Sequence, residues 1–257
     1  MRAFPPERIV CLTEETVETL YLLGQEDRIV GVSGYAVRPA RVRREKQRVS
    51  AFTSADTAKI LALEPDLVLT FSDLQADIAA DLIRAGVTVT AYNQRGLDGI
   101  LAMIRHLGAT VGQAERAEAL VGGYERRLAE IAARQAGRRP VVYFEEWDTP
   151  MISGIRWVSE LVGIAGGVDA FADLAAMPAA RDRIVSSPRV IEAAPDVILA
   201  SWCGKKVRPE KIAARPGWEN IPAVRDGRIF EIKSPLILQP GPAALTDGLD
   251  AILEALA

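Results

Sequence analysis

The sequence predicts an α/β protein of two Rossmann-like lobes with parallel sheets, joined by one long backbone helix. Three observations carry that reading. Short apolar runs alternate with helical patterns in both halves of the chain, a Pro-free amphipathic segment lies between the halves, and one ten-residue pattern occurs once in each half. The expected boundaries are 1–112 for the N-terminal α/β lobe, 113–137 for the linking helix and 138–257 for the C-terminal α/β lobe.

Arg8-Ile9-Val10-Cys11-Leu12 reads as a buried strand. Thr13 follows as a helix N-cap, and Glu14 and Glu15 stand where carboxylates complement the partial positive charge of a helix start. The helix runs to Leu23 and stops at Gly24. Arg28–Val32, Asp66–Phe71 and Val87–Tyr92 are further strands, the last preceded by a helix ending near Gly86. Apolar runs of this kind, separated by helices, argue for a parallel sheet covered on both faces.

From Ala114 to Arg134 there is no proline, and Ala117, Leu120, Tyr124, Leu128 and Ile131 recur at helical spacing among Glu and Arg. At about 1.5 Å per residue this helix is about 30 Å long. Gly122-Gly123 weakens it without ending it. Beyond Pro140 the alternation resumes, with strands at Val141–Phe144, Val197–Ala200 and Arg228–Ile232. The repeated pattern is Ile60 to Leu69, matched by Val190 to Leu199. Each copy reads as a helix end, a Pro-Asp turn at Pro65-Asp66 or Pro195-Asp196, and a buried strand that runs on to Phe71 or Trp202.

Composition limits the function. Hydrophobic residues make up 49% of the 257, charged residues 25%, and the formal charge is −3, so the broad basic excess that nucleic acid requires is missing. No run approaches the roughly 18–20 apolar residues of a membrane span. Residues 1–8, Met-Arg-Ala-Phe-Pro-Pro-Glu-Arg, contain no apolar core of an export signal, which predicts a cytoplasmic protein, or a periplasmic one if the chain is a processed form. Cys11 and Cys203 form no CxxC pair and imply neither a disulfide framework nor a zinc site.

His106 is the only histidine, which leaves no imidazole cluster for a metal and argues against His-based nucleophilic catalysis. The glycine groups Gly122-Gly123 and Gly163 to Gly167 match no phosphate-binding fingerprint. The aromatic residues say more. Tyr35, Phe52, Phe71, Tyr92, Trp147 and Trp202 fall at strand ends or in the following loops, and Trp157 opens a helix. Ligands of open α/β sheets bind outside the carboxyl ends of the strands, and aromatics gathered there suit a large flat ligand. Glu145, Glu146 and Asp148 flank Trp147. Neighbours on an extended chain point to opposite faces, so they read as polar partners of a ligand or as a solvated rim rather than as a catalytic dyad. Arg38, Arg41, Arg43, Arg44, Lys46 and Arg48 read as a solvated basic face.

In this order and spacing the chain resembles the helical-backbone, class III solute-binding proteins of ABC importers, and their cobalamin-binding branch in particular. The resemblance runs over nearly the whole chain. It rests on Arg8 to Leu12 with its Glu-rich helix ending at Gly24, Val30 to Tyr35, Val49 to Phe52, and Leu63 to Val68. It continues through Ile152-Ser153-Gly154, Glu160 to Gly167, Pro195 to Leu199, and Gly241-Pro242. It implies two lobes bridged by a long helix, with a corrinoid such as cobalamin held in the cleft between them and no catalysis. By the same resemblance Tyr35, Phe52, Phe71, Met151, Trp202, Cys203 and Gln239 are ligand contacts, and Trp147, Asp148 and Trp157 join them from the reading of the aromatics and carboxylates. The family has a cleft Trp near Asp182–Arg183 that is replaced here. It also presents one Glu on each lobe to its permease. Ala58 and Pro188 stand in those places, which argues against docking to an ABC permease.

The expected function is therefore reversible corrinoid binding with no catalytic cofactor and no catalytic residue. Haem, with Tyr35 or Tyr143 on the iron, is one alternative. A ferric siderophore held by Arg156, Lys205 and Lys206 is another. A two-lobed enzyme such as a glycosyltransferase is the alternative of a different class.

Overall fold

The computed structural model describes residues 4–257, so Met1, Arg2 and Ala3 of the stretch read for an export signal lie outside the described residues. The strands are β1 Ile9–Cys11, β2 Ile29–Ser33, β3 Arg48–Ser50, β4 Leu67–Phe71, β5 Val89–Tyr92, β6 Val141–Asp148, β7 Met151–Ser153, β8 Val168–Asp169, β9 Val197–Ala200 and β10 Ile229–Glu231. The helices of the first half are α1 Glu14–Leu22, α2 Val42–Glu45, α3 Thr57–Ala62, α4 Ala76–Arg84, α5 Leu97–Thr110 and α6 Ala114–Arg134. Those of the second are α7 Arg156–Ile164, α8 Ala172–Ala175, α9 Ser187–Ala193, α10 Pro209–Ala213, α11 Pro222–Arg225, α12 Ser234–Ile237 and α13 Leu249–Leu256.

The chain forms two compact units. One holds the residues up to Gln94 with Asp98–Gly123, the other Arg95–Leu97 with Tyr124–Ala257. The division falls inside α6, so the segment expected as a separate linking helix contributes to both. Its buried residues Ala117, Val121, Tyr124 and Leu128 continue the predicted stripe. Gly108 of α5 lets that helix approach, since a Cβ there would lie 2.2 Å from the Cβ of Ala117.

The first unit has one sheet of order β3-β2-β1-β4-β5 with every pairing parallel. β1 and β4 are buried throughout, which is why they read as unbroken apolar runs. Val10, Leu12, Val49, Ile60, Val68, Leu82 and Val87 make the core of one face. α1 ends as expected, with Gly24 at φ +68° and its N–H on the Tyr21 carbonyl.

The second sheet, of order β10-β9-β6-β7 with β8 also on β6, has the expected parallel core and adds one antiparallel strand. β6 pairs β8 and β9 in parallel, but β7 folds back antiparallel, with Trp147 opposite Ile152 and Asp148 opposite Met151. The sequence signal for β6 ended at Phe144 because Glu145 and Glu146 interrupt the apolar run, yet the strand continues to Asp148.

The repeated pattern has a structural counterpart. Asp66 accepts hydrogen bonds from the backbone N–H groups of Glu7 and Arg8 at 2.8 and 3.0 Å, and Asp196 accepts from Val141 N–H at 2.8 Å. Each aspartate thus pins the start of the strand paired to its own, β1 for β4 and β6 for β9. The residues before the two prolines, Glu64 and Ala194, both take the left-handed conformation, at φ 46° and 43°. The α region is disfavoured before proline, so both helices must break there by the same route.

Candidate ligand site

In the first unit the chain diverges between β1 and β4, where one connection leaves through α1 and the other through α4. Loops at such a switch point form the ligand-binding edge of parallel sheets. Gln75 organises it. Its side-chain N–H₂ donates to the carbonyls of Leu12 at 3.1 Å and Phe52 at 2.8 Å, and its Oε1 accepts from the Phe71 N–H at 3.0 Å. One buried amide thereby ties together the loops after β1, β3 and β4. Ser72 adds a strained turn, at φ 60° and ψ 175°, with its hydroxyl accepting from Leu74 N–H. That region is essentially restricted to glycine, and such strain gathers at functional sites. Replacing Gln75 by leucine is expected to destabilise the protein by about 2 kcal/mol by orphaning these backbone groups. Denaturant titration would show this, and a loss below about 0.5 kcal/mol would contradict it.

The expected ligand residues of this unit separate. Tyr35 is 49% exposed, Phe52 is half-buried, and Phe71 is enclosed at 6%. Glu14 and Glu15 stand in the first turn of α1, as expected, and both are buried. Burial pushes Glu14 up to about 7 and Glu15 up to about 8, the latter against a hydrogen bond from the Thr13 hydroxyl at 2.7 Å. Thr13 therefore spends its side chain on Glu15 rather than on capping the helix backbone. Beside them the Cys11 thiol is pushed up to about 12, again by burial.

In the second unit, Trp147 is half-buried in the β6–β7 hairpin, with its indole N–H on the Thr149 carbonyl at 3.0 Å. Asp148 holds Lys205 at 2.5 Å through Oδ2, while its Oδ1 is buried with no partner among the described residues. The Lys205 ammonium lies 5.3 Å from the centre of the Trp147 ring and 4.9 Å from that of Trp202. Met151 and Gln239 are half-buried, and Cys203 is exposed.

Four expected roles change here. Trp202 is 2% exposed and belongs to the core, its indole N–H donating to Glu145 at 3.1 Å. Trp157 is likewise enclosed, donating to the Ile237 carbonyl at 2.8 Å, which leaves it no open face for a ligand. Glu145 is no rim residue: fully buried, it receives both guanidinium nitrogens of Arg215 and the Tyr143 hydroxyl at 3.0 Å. Tyr143, offered as an iron ligand, is packed edge-on between Phe171 and Trp218, and burial first, then the Glu145 charge, keeps its phenol protonated. Glu146 faces the other way, as expected for strand neighbours, and holds the buried Arg183 through two hydrogen bonds of 2.7 and 2.9 Å. Arg183 also donates to the Ser153 carbonyl, so it fastens the hairpin.

The remaining expectations find partners nearby. His106 Nδ1 is 2.9 Å from the Tyr92 hydroxyl. Arg38 pairs with Glu18, Arg41 with Glu26, and Arg156 with Glu160. Ala58 and Pro188 lie exposed in the first turns of α3 and α9. Asp56, the acid nearest to Ala58 in the sequence, caps α3 by accepting from Lys59 N–H. Among the described residues no group of three or more His, Cys, Asp or Glu could hold a metal ion, and no helix is long and apolar enough to cross a membrane.

Known proteins place this arrangement. The sequence model described as "Periplasmic binding protein" matches residues 9–236. The Vitamin B12-binding protein of Vibrio cholerae is 27% identical over 252 residues, covering 95% of this chain and 87% of that one. An ABC transporter substrate-binding lipoprotein of Bacillus subtilis is 24% identical over 262 residues, covering 98% and 80%. Among solved structures, the periplasmic Vitamin B12 binding protein of Vibrio cholerae superimposes with TM-score 0.78 at 26% identity, covering 99% and 98%. A periplasmic haem-binding protein of Roseiflexus sp. RS-1 does so with TM-score 0.82 at 26% identity, covering 98% and 99%. The fold is thus the two-lobed one of these binding proteins. The cytoplasmic placement expected from residues 1–8 finds no support among relatives described as periplasmic or as a lipoprotein.

Proposed function

Because the chain belongs to the periplasmic binding protein family, we propose that it binds a corrinoid, cobalamin or cobinamide, reversibly and without catalysis. The observation that carries this reading is the match, over 95% of the chain, to a protein named for vitamin B12. The open aromatic residues at the carboxyl edges of the two sheets, Tyr35 and Phe52 in one unit and Trp147 in the other, support it. In its own unit each offers apolar area suited to a flat macrocycle, and in the second unit Asp148, Met151, Cys203 and Gln239 add polar and sulfur groups. Phe71 and Trp202 are enclosed, each within its own unit. No resident cofactor takes part; the corrinoid is the cargo.

Absorbance and calorimetric titration with cyanocobalamin, dicyanocobinamide and haemin tests the reading. Corrinoid binding at micromolar affinity or tighter, about −8 kcal/mol or better, is expected. Saturable haem binding with no corrinoid binding would replace it. Trp147→Ala is expected to weaken corrinoid binding by about 1–3 kcal/mol, because it removes a large accessible contact. The stability of the unliganded protein should stay within about 1 kcal/mol, since the ring is only half-buried. Lost stability with unchanged affinity would make Trp147 a packing residue.

Haem is the second reading, favoured by the similarity to the haem-binding protein of Roseiflexus and by the exposed Tyr35 hydroxyl, the tyrosine of the two proposed that remains free to reach an iron. Tyr35→Phe would then abolish the tyrosinate–iron charge-transfer band. The enzyme reading draws no support from the relatives named above, which are described as binding proteins.

A further inference from the structure

Lys205 occupies an unusual position for a lysine whose side chain is 45% exposed. Its ammonium sits over two indoles at once, 4.9 Å from the ring centre of Trp202 and 5.3 Å from that of Trp147, and is tied to Asp148 Oδ2 at 2.5 Å. A free surface lysine loses side-chain entropy by settling into one geometry. Here two ring faces and a carboxylate act together to hold it. The partners are themselves fixed. The Trp202 N–H is anchored on Glu145, which Arg215 holds in turn, and Asp148 and Trp147 belong to one hairpin. The second carboxylate oxygen of Asp148 is buried and has no donor among the described residues. The cluster therefore has a cation over the aromatic rings and, beside it, a buried acceptor that lacks a donor.

We propose that the Lys205–Asp148 pair determines ligand specificity, reading whether the periphery of a tetrapyrrole carries amides or carboxylates. The inference rests on the proposed tetrapyrrole site. A ligand bearing carboxylates pairs with Lys205 and is repelled by Asp148. A ligand bearing amides can donate to Asp148 Oδ1 but must draw Lys205 off the indoles before it stacks there. The two residues thus push selectivity in opposite directions.

The test uses one corrin ring in two forms, dicyanocobinamide with peripheral amides and dicyanocobyrinic acid with peripheral carboxylates. Dissociation constants are measured for the wild type and for Lys205→Ala, Lys205→Met and Asp148→Asn. Both lysine variants are expected to shift the ratio of affinities about tenfold towards the amide form, a change of about 1.4 kcal/mol. Asp148→Asn should shift it threefold or more the other way, by about 0.7 kcal/mol. Lys205→Arg, which keeps the charge over the rings, should leave the ratio near the wild-type value. If cobinamide binds and the ratio is the same in all variants, the specificity role is overturned while the functional reading survives. If neither corrin form binds, the functional reading fails and this inference fails with it.

Discussion

Glu145→Ala is expected to destabilise the second unit by about 3–5 kcal/mol, the cost of removing one partner from a buried ion pair. Glu145 is fully buried and accepts from three side chains: Arg215 through both nitrogens, the Tyr143 hydroxyl and the Trp202 indole N–H. Alanine would leave a guanidinium, a phenol and an indole without their acceptor, beside a core that includes Phe171, Val190, Ile198 and Trp218. The cost follows from desolvated groups left unmatched rather than from the attraction of the pair, which largely offsets its own burial. Glu145→Gln keeps one acceptor oxygen, enough for either the Tyr143 hydroxyl or the Trp202 N–H, and should cost about half as much. Denaturant unfolding followed by tryptophan fluorescence reports on this unit, because Trp147, Trp157, Trp202 and Trp218 all lie in it. A loss below about 1 kcal/mol for the alanine variant would mean that Arg215 finds solvent readily and that the pair is peripheral.

The protein should become less stable as pH rises from about 5 to about 8, in contrast to proteins whose carboxylates are stabilised by salt bridges. Burial raises Glu14 to about 7 and Glu15 to about 8, from ordinary values near 4.5. The unfolded chain releases both protons near its ordinary carboxyl pKa, while the folded chain keeps them until neutral or mildly alkaline pH. Between those values the unfolded state binds fewer protons, so the slope of stability against pH is negative. Stability from these groups is complete below about 4.5 and is lost as pH passes through about 7 and 8. For Glu15 alone the change is on the order of 4 kcal/mol. Glu15→Gln, which holds a neutral group of the same shape beside Thr13, should flatten most of this dependence. Thermal unfolding at pH 5.5, 7 and 8.5 measures it. A wild-type midpoint that rises across this series would show that both acids ionise when folded.

The two acids also show where local reading ends. Two glutamates in the first turn of a helix have one sequence signature whether the turn faces water or the interior, and the helix-start electrostatics favour ionisation in both cases. Only the depth at which α1 sits against the sheet makes burial the larger effect. The aromatic residues follow the same logic. Trp147 and Trp202 each occur at or after a strand end with polar neighbours. One is half-buried in the β6–β7 hairpin, and the other is enclosed with its N–H on Glu145, whose partner Arg215 lies 70 residues away.

By itself, the sequence determined the α/β class, the central strands and the helix that runs from one unit into the other. It also determined the doubled helix–Pro-Asp–strand pattern that brings Asp66 and Asp196 to equivalent work. These are local properties, set by periods of 2 and 3.6 residues, by prolines and glycines, and by apolar runs long enough to register. Tertiary structure alone decided the rest. β3, β7 and β8 are two or three residues long and lack a continuous apolar run, so only pairing makes them strands. The partners of Glu145, Glu146 and Asp148, namely Arg215, Arg183 and Lys205, lie 70, 37 and 57 residues away. Which charge is buried with a counter-ion, and which ring keeps an open face, depends on distances across the folded chain that no spacing along it encodes.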